Sequence, residues 1–144
     1  MSRKPIAIAS DHAGYDLKSL LARELADMGY QVVDLGTDGP QSVDYPDFGA
    51  ALAKLVQAGE VERGVLVCGT GIGIAMAANR HPGVRAAVCW DETSARLTRE
   101  HNDANVLALG ARLLGTEVAK ACLRTFLDTE FAGGRHERRV TKLG

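Results

Sequence analysis

Val65-Leu66-Val67-Cys68-Gly69-Thr70-Gly71-Ile72-Gly73 is where this chain could do chemistry: an apolar run stops at a cysteine and a glycine-rich turn follows at once. If the run is a parallel strand and the next helix starts near Gly73, the Cys68 thiol lies beside exposed backbone N–H groups at a helix N-terminus. Thiolates and oxyanions are both stabilised in such a place. An ordinary thiol, with a pKa of about 8.5, is largely protonated at neutral pH, and a helix start can lower it enough to make a base. Cys89 ends another apolar run and Cys122 lies in a helical pattern, so both read as packing residues. The three cysteines form no CxxC pair and no zinc-finger spacing, which predicts neither a disulfide framework nor a structural metal.

The turn fits none of the common nucleotide or phosphate motifs. A Walker loop needs Lys-Ser or Lys-Thr after its last glycine, and Ile74-Ala75 stands there. A dinucleotide fingerprint counted from Gly69 finds its third glycine at Gly71 but Ile74 at the sixth place. A cysteine phosphatase would close the turn with an arginine, whereas Ile72, Ile74 and Met76 leave it uncharged. Backbone donors without a cation suit a charge that develops only in the transition state, where each preorganised donor is worth roughly 3 kcal/mol. The alternative, that the glycines only allow close helix packing, stays open on spacing alone.

Two further segments carry polar groups. Arg135-His136-Glu137-Arg138-Arg139 follows the double glycine Gly133-Gly134, which can redirect the chain toward a crevice, and arginine forks match phosphate geometry. The other reading is a solvated basic end. His101-Asn102-Asp103-Ala104-Asn105 is either a binding loop or a helix C-cap followed by an Asx turn. Asp11-His12 after the first apolar run is either functional or a simple helix cap.

The elements that must position these residues alternate regularly. Strands are predicted at Pro5 to Ser10, Gln31 to Leu35, Gly64 to Cys68, Arg85 to Cys89 and Val106 to Leu109. Helices are predicted at Tyr15 to Met28, from Pro46 to Gly59, to about Asn79 after the glycine turn, at Glu92 to Glu100 and at Thr116 to Asp128. Five βα units predict an α/β three-layer sandwich with a five-stranded, parallel, doubly wound, Rossmann-like sheet. Ligands of such sheets sit at the carboxyl ends of the strands, which groups Asp11 and His12, Cys68 to Gly73, Trp90 and Asp91, and Gly110 to Arg112 around one crevice.

Composition sets the outer bounds. A chain of 144 residues, 46% hydrophobic and 24% charged, predicts a single globular domain over residues 1–144. A net charge of −1 argues against a nucleic-acid binder. No stretch is apolar enough to span a bilayer, and Met1-Ser2-Arg3-Lys4 leads into a strand without a signal sequence, so a cytoplasmic protein with no membrane partner is expected.

Ser10-Asp11-His12-Ala13-Gly14, Asp44-Tyr45-Pro46, Cys68 to Gly73, His101 to Leu107 and Gly133-Gly134-Arg135-His136 together resemble the type B ribose-5-phosphate isomerase family, which also holds allose-6-phosphate and galactose-6-phosphate isomerases. The resemblance runs over nearly the whole chain. It implies a cofactor-free, metal-free aldose–ketose isomerase of the pentose phosphate pathway that acts on ribose 5-phosphate and ribulose 5-phosphate through a cis-enediolate. It implies that Cys68 is the base, that Thr70 and the backbone of Gly69, Gly71, Ile72 and Gly73 stabilise the enediolate, and that His101, helped by Asp11, opens the sugar ring. His12, Arg112, Arg135, His136 and Arg139 would hold the phosphate, the tail from about residue 129 contributing, with Tyr45 and Asn102 near the sugar. Some members carry a glutamate base at the place of Ile74, and isoleucine cannot accept a proton. The family's site lies between subunits, which implies a homodimer or a tetramer with His101 and Asn102 supplied by the neighbour. The competing expectations are a six-carbon sugar-phosphate isomerase and a non-catalytic phosphosugar-binding module. A flavodoxin-like carrier is disfavoured because 5% aromatic content leaves little to stack on a flavin.

Overall fold

The three longest apolar runs form the middle of the sheet because both of their faces are covered. In the computed structural model, which describes residues 4–144, these are β1 (Ile6–Ser10), β3 (Arg63–Cys68) and β5 (Val106–Gly110), buried along almost their whole length. The edges are the three-residue strands β2 (Val32–Asp34) and β4 (Ala86–Val88), which are only partly covered. All pairs are parallel, in the order β2-β1-β3-β5-β4.

The helices are α1 (Tyr15–Asp27), α2 (Tyr45–Gln57), α3 (Ile72–Ala78), α4 (Glu92–Asn102), α5 (Thr116–Asp128) and α6 (Arg135–Leu143). Strand alternation sorts the core into two layers. Ile8, Val65, Val67, Leu107 and Leu109 pack with Leu21 and Leu25 of α1, Ala95 of α4 and Phe126 of α5. Ala7, Ala9, Leu66, Cys68 and Ala108 face Leu52 and Ala53 of α2 and Ile74, Ala75 and Ala78 of α3. The chain leaves β1 on one side and returns as β3 on the other, so the sheet changes winding direction between them, where open sheets bind ligands. Ser10 pairs with Val67 and Cys68 with Gly110. The segments after β1, β3 and β5 therefore emerge at one height.

The predicted elements are present, with two differences. Helix α4 continues through Asn102, so His101 and Asn102 belong to its last turn rather than to a loop; Asp103 ends the helix in the left-handed region at φ 46°. The tail is not simply a basic end: residues 135–143 form α6, although none of its residues is buried. Gly133 and Gly134, at φ 68° and 58°, redirect the chain so that α6 lies against α4. Met1-Ser2-Arg3 of the N-terminal reading lie outside the described residues. Among those described, no helix is long and apolar enough to cross a membrane.

Candidate active site

Strand ends and helix starts converge on Cys68. Its side chain is 4% exposed at the carboxyl end of β3, on the sheet face covered by α2 and α3. The chain turns sharply after it because Gly71 sits at φ 79°, a left-handed conformation that costs a side-chain-bearing residue about 1–2 kcal/mol. That turn aims the Gly71 N–H at Cys68 Sγ, at 3.1 Å. Thr70 Oγ1 accepts the Ile72 N–H at 3.1 Å, which leaves the hydroxyl proton free to donate elsewhere. The N–H groups of Gly73 and Ile74 open α3, where no intrahelical acceptor exists, and they have no acceptor among the described residues.

Neighbouring segments surround the turn. After β5, the Arg112 N–H donates to Gly69 O at 3.0 Å, and the guanidinium lies over Gly69 so closely that a methyl group there would come within 3.2 Å of Nη1. After β1, the Asp11 N–H donates to Val67 O at 3.3 Å, and Asp11 Oδ1 accepts the Gly14 N–H at 3.1 Å, so this carboxylate does cap the start of the following turn. His12 Nδ1 accepts the Val43 N–H at 3.1 Å. That bond assigns the proton of the neutral ring to Nε2, which makes this nitrogen a donor. At the start of α2 the Tyr45 ring covers Gly73, where an added methyl would meet ring carbons at 2.7 Å.

Two cavities flank the turn. One of about 600 Å³ is bounded by Tyr45, Gly73, Met76 and Arg80, and one of about 200 Å³ by Thr70, Ile72, Trp90 and Leu113. Tyr45, Ile72, Met76, Trp90 and Leu113 are exposed, an apolar rim around a polar centre. Asp91 accepts the Ser94 N–H at 2.7 Å and caps α4. Burial pushes the Cys89 thiol up to about 12 and the Cys122 thiol up to about 11, in keeping with packing roles. Among the described residues no three His, Cys, Asp or Glu side chains group to hold a metal ion.

The remaining expected site residues stand elsewhere. Helix α4 leaves the carboxyl edge after β4 and returns to the amino edge before β5, a run of 11 residues or about 16 Å. His101 and Asn102, at its end, are therefore remote from Cys68 of the same chain. The His101 ring stacks on His136 of α6, with centroids 4.4 Å apart and planes at 19°. Desolvation, then His101, Arg135 and Arg139, hold the His136 imidazole below its ordinary pKa. The chain thus carries two groups: Asp11, His12, Tyr45, Cys68 to Gly73 and Arg112 at one pole, and His101, Asn102, Arg135, His136 and Arg139 at the other.

Some supporting residues had no motif to announce them. Val43 contributes only its backbone. Lys18, 2% exposed, places Nζ 2.8 Å from both carboxylate oxygens of Asp34, whose Oδ1 also accepts the Gly36 N–H. Its signal was available: Lys18 falls on the same helical stripe as Leu21 and Leu25.

A family profile described as Ribose/Galactose Isomerase matches residues 6–143. The chain is 45% identical over 137 residues to ribose-5-phosphate isomerase B of Escherichia coli, covering 95% of this chain and 92% of that one. It is 43% identical over 140 residues to D-erythrulose-4-phosphate isomerase of Pectobacterium atrosepticum, covering 96% and 92%. The solved structure of Clostridium thermocellum ribose-5-phosphate isomerase B superposes with a TM-score of 0.96 at 54% identity, over 97% of this chain and 95% of that one. With sequence and fold matched from β1 to α6, the chain belongs to the ribose/galactose isomerase family.

Proposed function

We propose that the chain is an aldose–ketose isomerase interconverting D-ribose 5-phosphate and D-ribulose 5-phosphate. The observation that carries this reading is a sulfur at the winding switch, held by the Gly71 N–H at 3.1 Å, with a guanidinium over the adjoining glycine. Cys68 as thiolate takes the proton from C2 of the aldose and returns it to C1, while a proton passes from O2 to O1 through the cis-enediolate. No atom is gained or lost, so the reaction needs only a base and donors for the oxygens. The Thr70 hydroxyl and the N–H groups of Gly73 and Ile74 supply those donors, each worth roughly 3 kcal/mol in the transition state. The Gly71 and Ile72 N–H groups shape the turn instead, being engaged with Cys68 and Thr70. His12 Nε2 and Arg112 bind the phosphate away from the reacting carbons and orient the chain of the sugar.

The second pole reaches substrate from a second copy of the chain. His101 opens the furanose ring with Asp11, Asn102 contacts the sugar, and Arg135, His136 and Arg139 complete the phosphate cradle. The remoteness of α4's end from Cys68, and the apolar rim of Ile72, Met76, Trp90 and Leu113, both support a homodimer with shared sites.

The test is to offer four-, five- and six-carbon aldose phosphates to the pure protein in excess chelator. Turnover of ribose 5-phosphate with chelator present is expected. If a six-carbon phosphate is isomerised and ribose 5-phosphate is not, the pentose assignment fails; no isomerisation of any of them sinks the enzyme reading.

A further inference from the structure

The turn that carries His101 and Asn102 is tied by ion pairs that proton transfer does not itself require. Arg99, 4% exposed in α4, donates from Nη1 to Asp103 Oδ1 at 2.8 Å and to Ala104 O at 2.7 Å, and from Nε to Thr129 O at 3.0 Å. Asp103 Oδ2 receives Arg85 Nη2 at 3.4 Å, and Arg85 Nε donates to the carbonyls of Asn102 and Asp103 at 3.2 and 3.0 Å. One carboxylate therefore spans two guanidinium groups, one on each oxygen.

The identity of Asp103 matters. Its left-handed φ of 46° ends α4, a position that glycine or asparagine fills at lower cost. What a carboxylate adds there is a charge for the two guanidinium groups. Arg99 in turn grips Thr129, where the segment leading to α6 begins, and the Ala132 N–H donates to Glu100 O at 3.1 Å. The same guanidinium thus fastens the turn bearing His101 and Asn102 to the segment that delivers Arg135, His136 and Arg139.

We propose that Asp103, Arg99 and Arg85 are positioning residues: they set the turn carrying His101 and Asn102, so that the ring opener meets the sugar which the α6 cations hold in the neighbouring subunit's crevice. This rests on the shared-site reading above. None of the three touches the reacting atoms.

The experiment isolates ring opening from proton transfer. In a Cys68→Ala background, which cannot isomerise, enzyme-catalysed exchange between the α and β anomers of ribose 5-phosphate is read by NMR magnetisation transfer, alongside the dissociation constant for the same sugar. Adding Asp103→Asn, which tolerates the left-handed backbone but removes the charge, is expected to slow catalysed exchange about tenfold, since misplacement by a fraction of an ångström is costly, while affinity changes far less. A merely structural role would lower both together or neither, and either result overturns the proposal. Arg85→Lys, which keeps the charge but loses the fork on the Asn102 and Asp103 carbonyls, carries the same test if the asparagine variant does not fold. His101→Asn in the same background is the reference. If it leaves exchange intact, or if Cys68→Ala shows none to begin with, the ring-opening assignment fails and the proposal falls with it. Selective loss with His101→Asn but not with Asp103→Asn overturns the positioning role alone.

Discussion

Gly110→Ala tests how the turn after Cys68 is braced. A Cβ on Gly110 would stand 2.6 Å from Thr70 O, 2.8 Å from Thr70 C and 3.0 Å from Thr70 Cα, all backbone atoms that no rotamer change can remove. Ordinary contact begins near 3.4 Å, so the two segments must part by about 0.8 Å. Strand β5 is paired on both sides, with β3 and β4, and holds its place. The turn moves instead, taking the Thr70 hydroxyl and the Gly71 N–H away from Cys68 and the substrate. Overpacking of this kind costs about 1–3 kcal/mol. At roughly 3 °C per kcal/mol for a chain of this size, Tm falls by about 3–9 °C. A displacement near 1 Å at the reacting centre costs about 100-fold in kcat. Initial rates of ribose 5-phosphate conversion at 25 °C, well below the melting transition, separate the two effects. A variant that melts lower yet keeps kcat within about threefold of the parent would refute the view that β5 sets the position of the turn.

Cys68→Ala is expected to abolish isomerisation, at least about 1,000-fold in kcat, while titration calorimetry still registers sugar-phosphate binding; residual turnover near the parent rate would remove the thiol from the mechanism. Asp34→Ala strands the buried Lys18 ammonium and is expected to cost about 2 kcal/mol in urea denaturation, more than Lys18→Met, which removes the buried charge and leaves Asp34 with water and the Gly36 N–H; the reverse ranking would show that the ammonium does not depend on Asp34. For His136, whose pKa is held below 6.5 chiefly by desolvation and by His101, the unfolded chain takes up its proton before the folded one does. Stability is therefore unaffected above that value and declines as pH falls below it. An NMR titration of the imidazole with a midpoint at or above 6.5 would contradict the stacked arrangement.

Patterns of burial explain what the sequence disclosed and what it withheld. Strands β1, β3 and β5 were legible because covering both faces leaves an unbroken apolar run, and α5 because Ala119, Cys122, Leu123 and Phe126 repeat at helical spacing. Helix α6 left no such trace: with no buried residue it has no apolar stripe, and its two preceding glycines signal a change of direction without signalling a helix. The tight turn at Cys68 could be inferred from residue types, since a strand end followed by glycines constrains the backbone strongly. The pairing of His12 with Val43 was hidden because the partner is a main-chain N–H that any residue supplies. Arg99 and Asp103 stand four apart on a helix end and resemble an ordinary surface pair; only burial distinguishes them.

The sheet's two sides also differ in how much freedom they leave to change. Beneath α1, α4 and α5 the strands present Ile8, Val65, Val67, Leu107 and Leu109, a layer in which a methylene lost by one neighbour can be supplied by another. Beneath α2 and α3, Ala7, Ala9 and Ala108 lie beside Leu66 and Val106, and the helices bring Ala53, Ala75 and Ala78 beside Leu52 and Ile74, so that between the alanines there is hardly any volume to trade. Growth of any of these methyls would lift the helices that seat Tyr45 and the start of α3, so this is the side on which drift would first be felt as lost turnover.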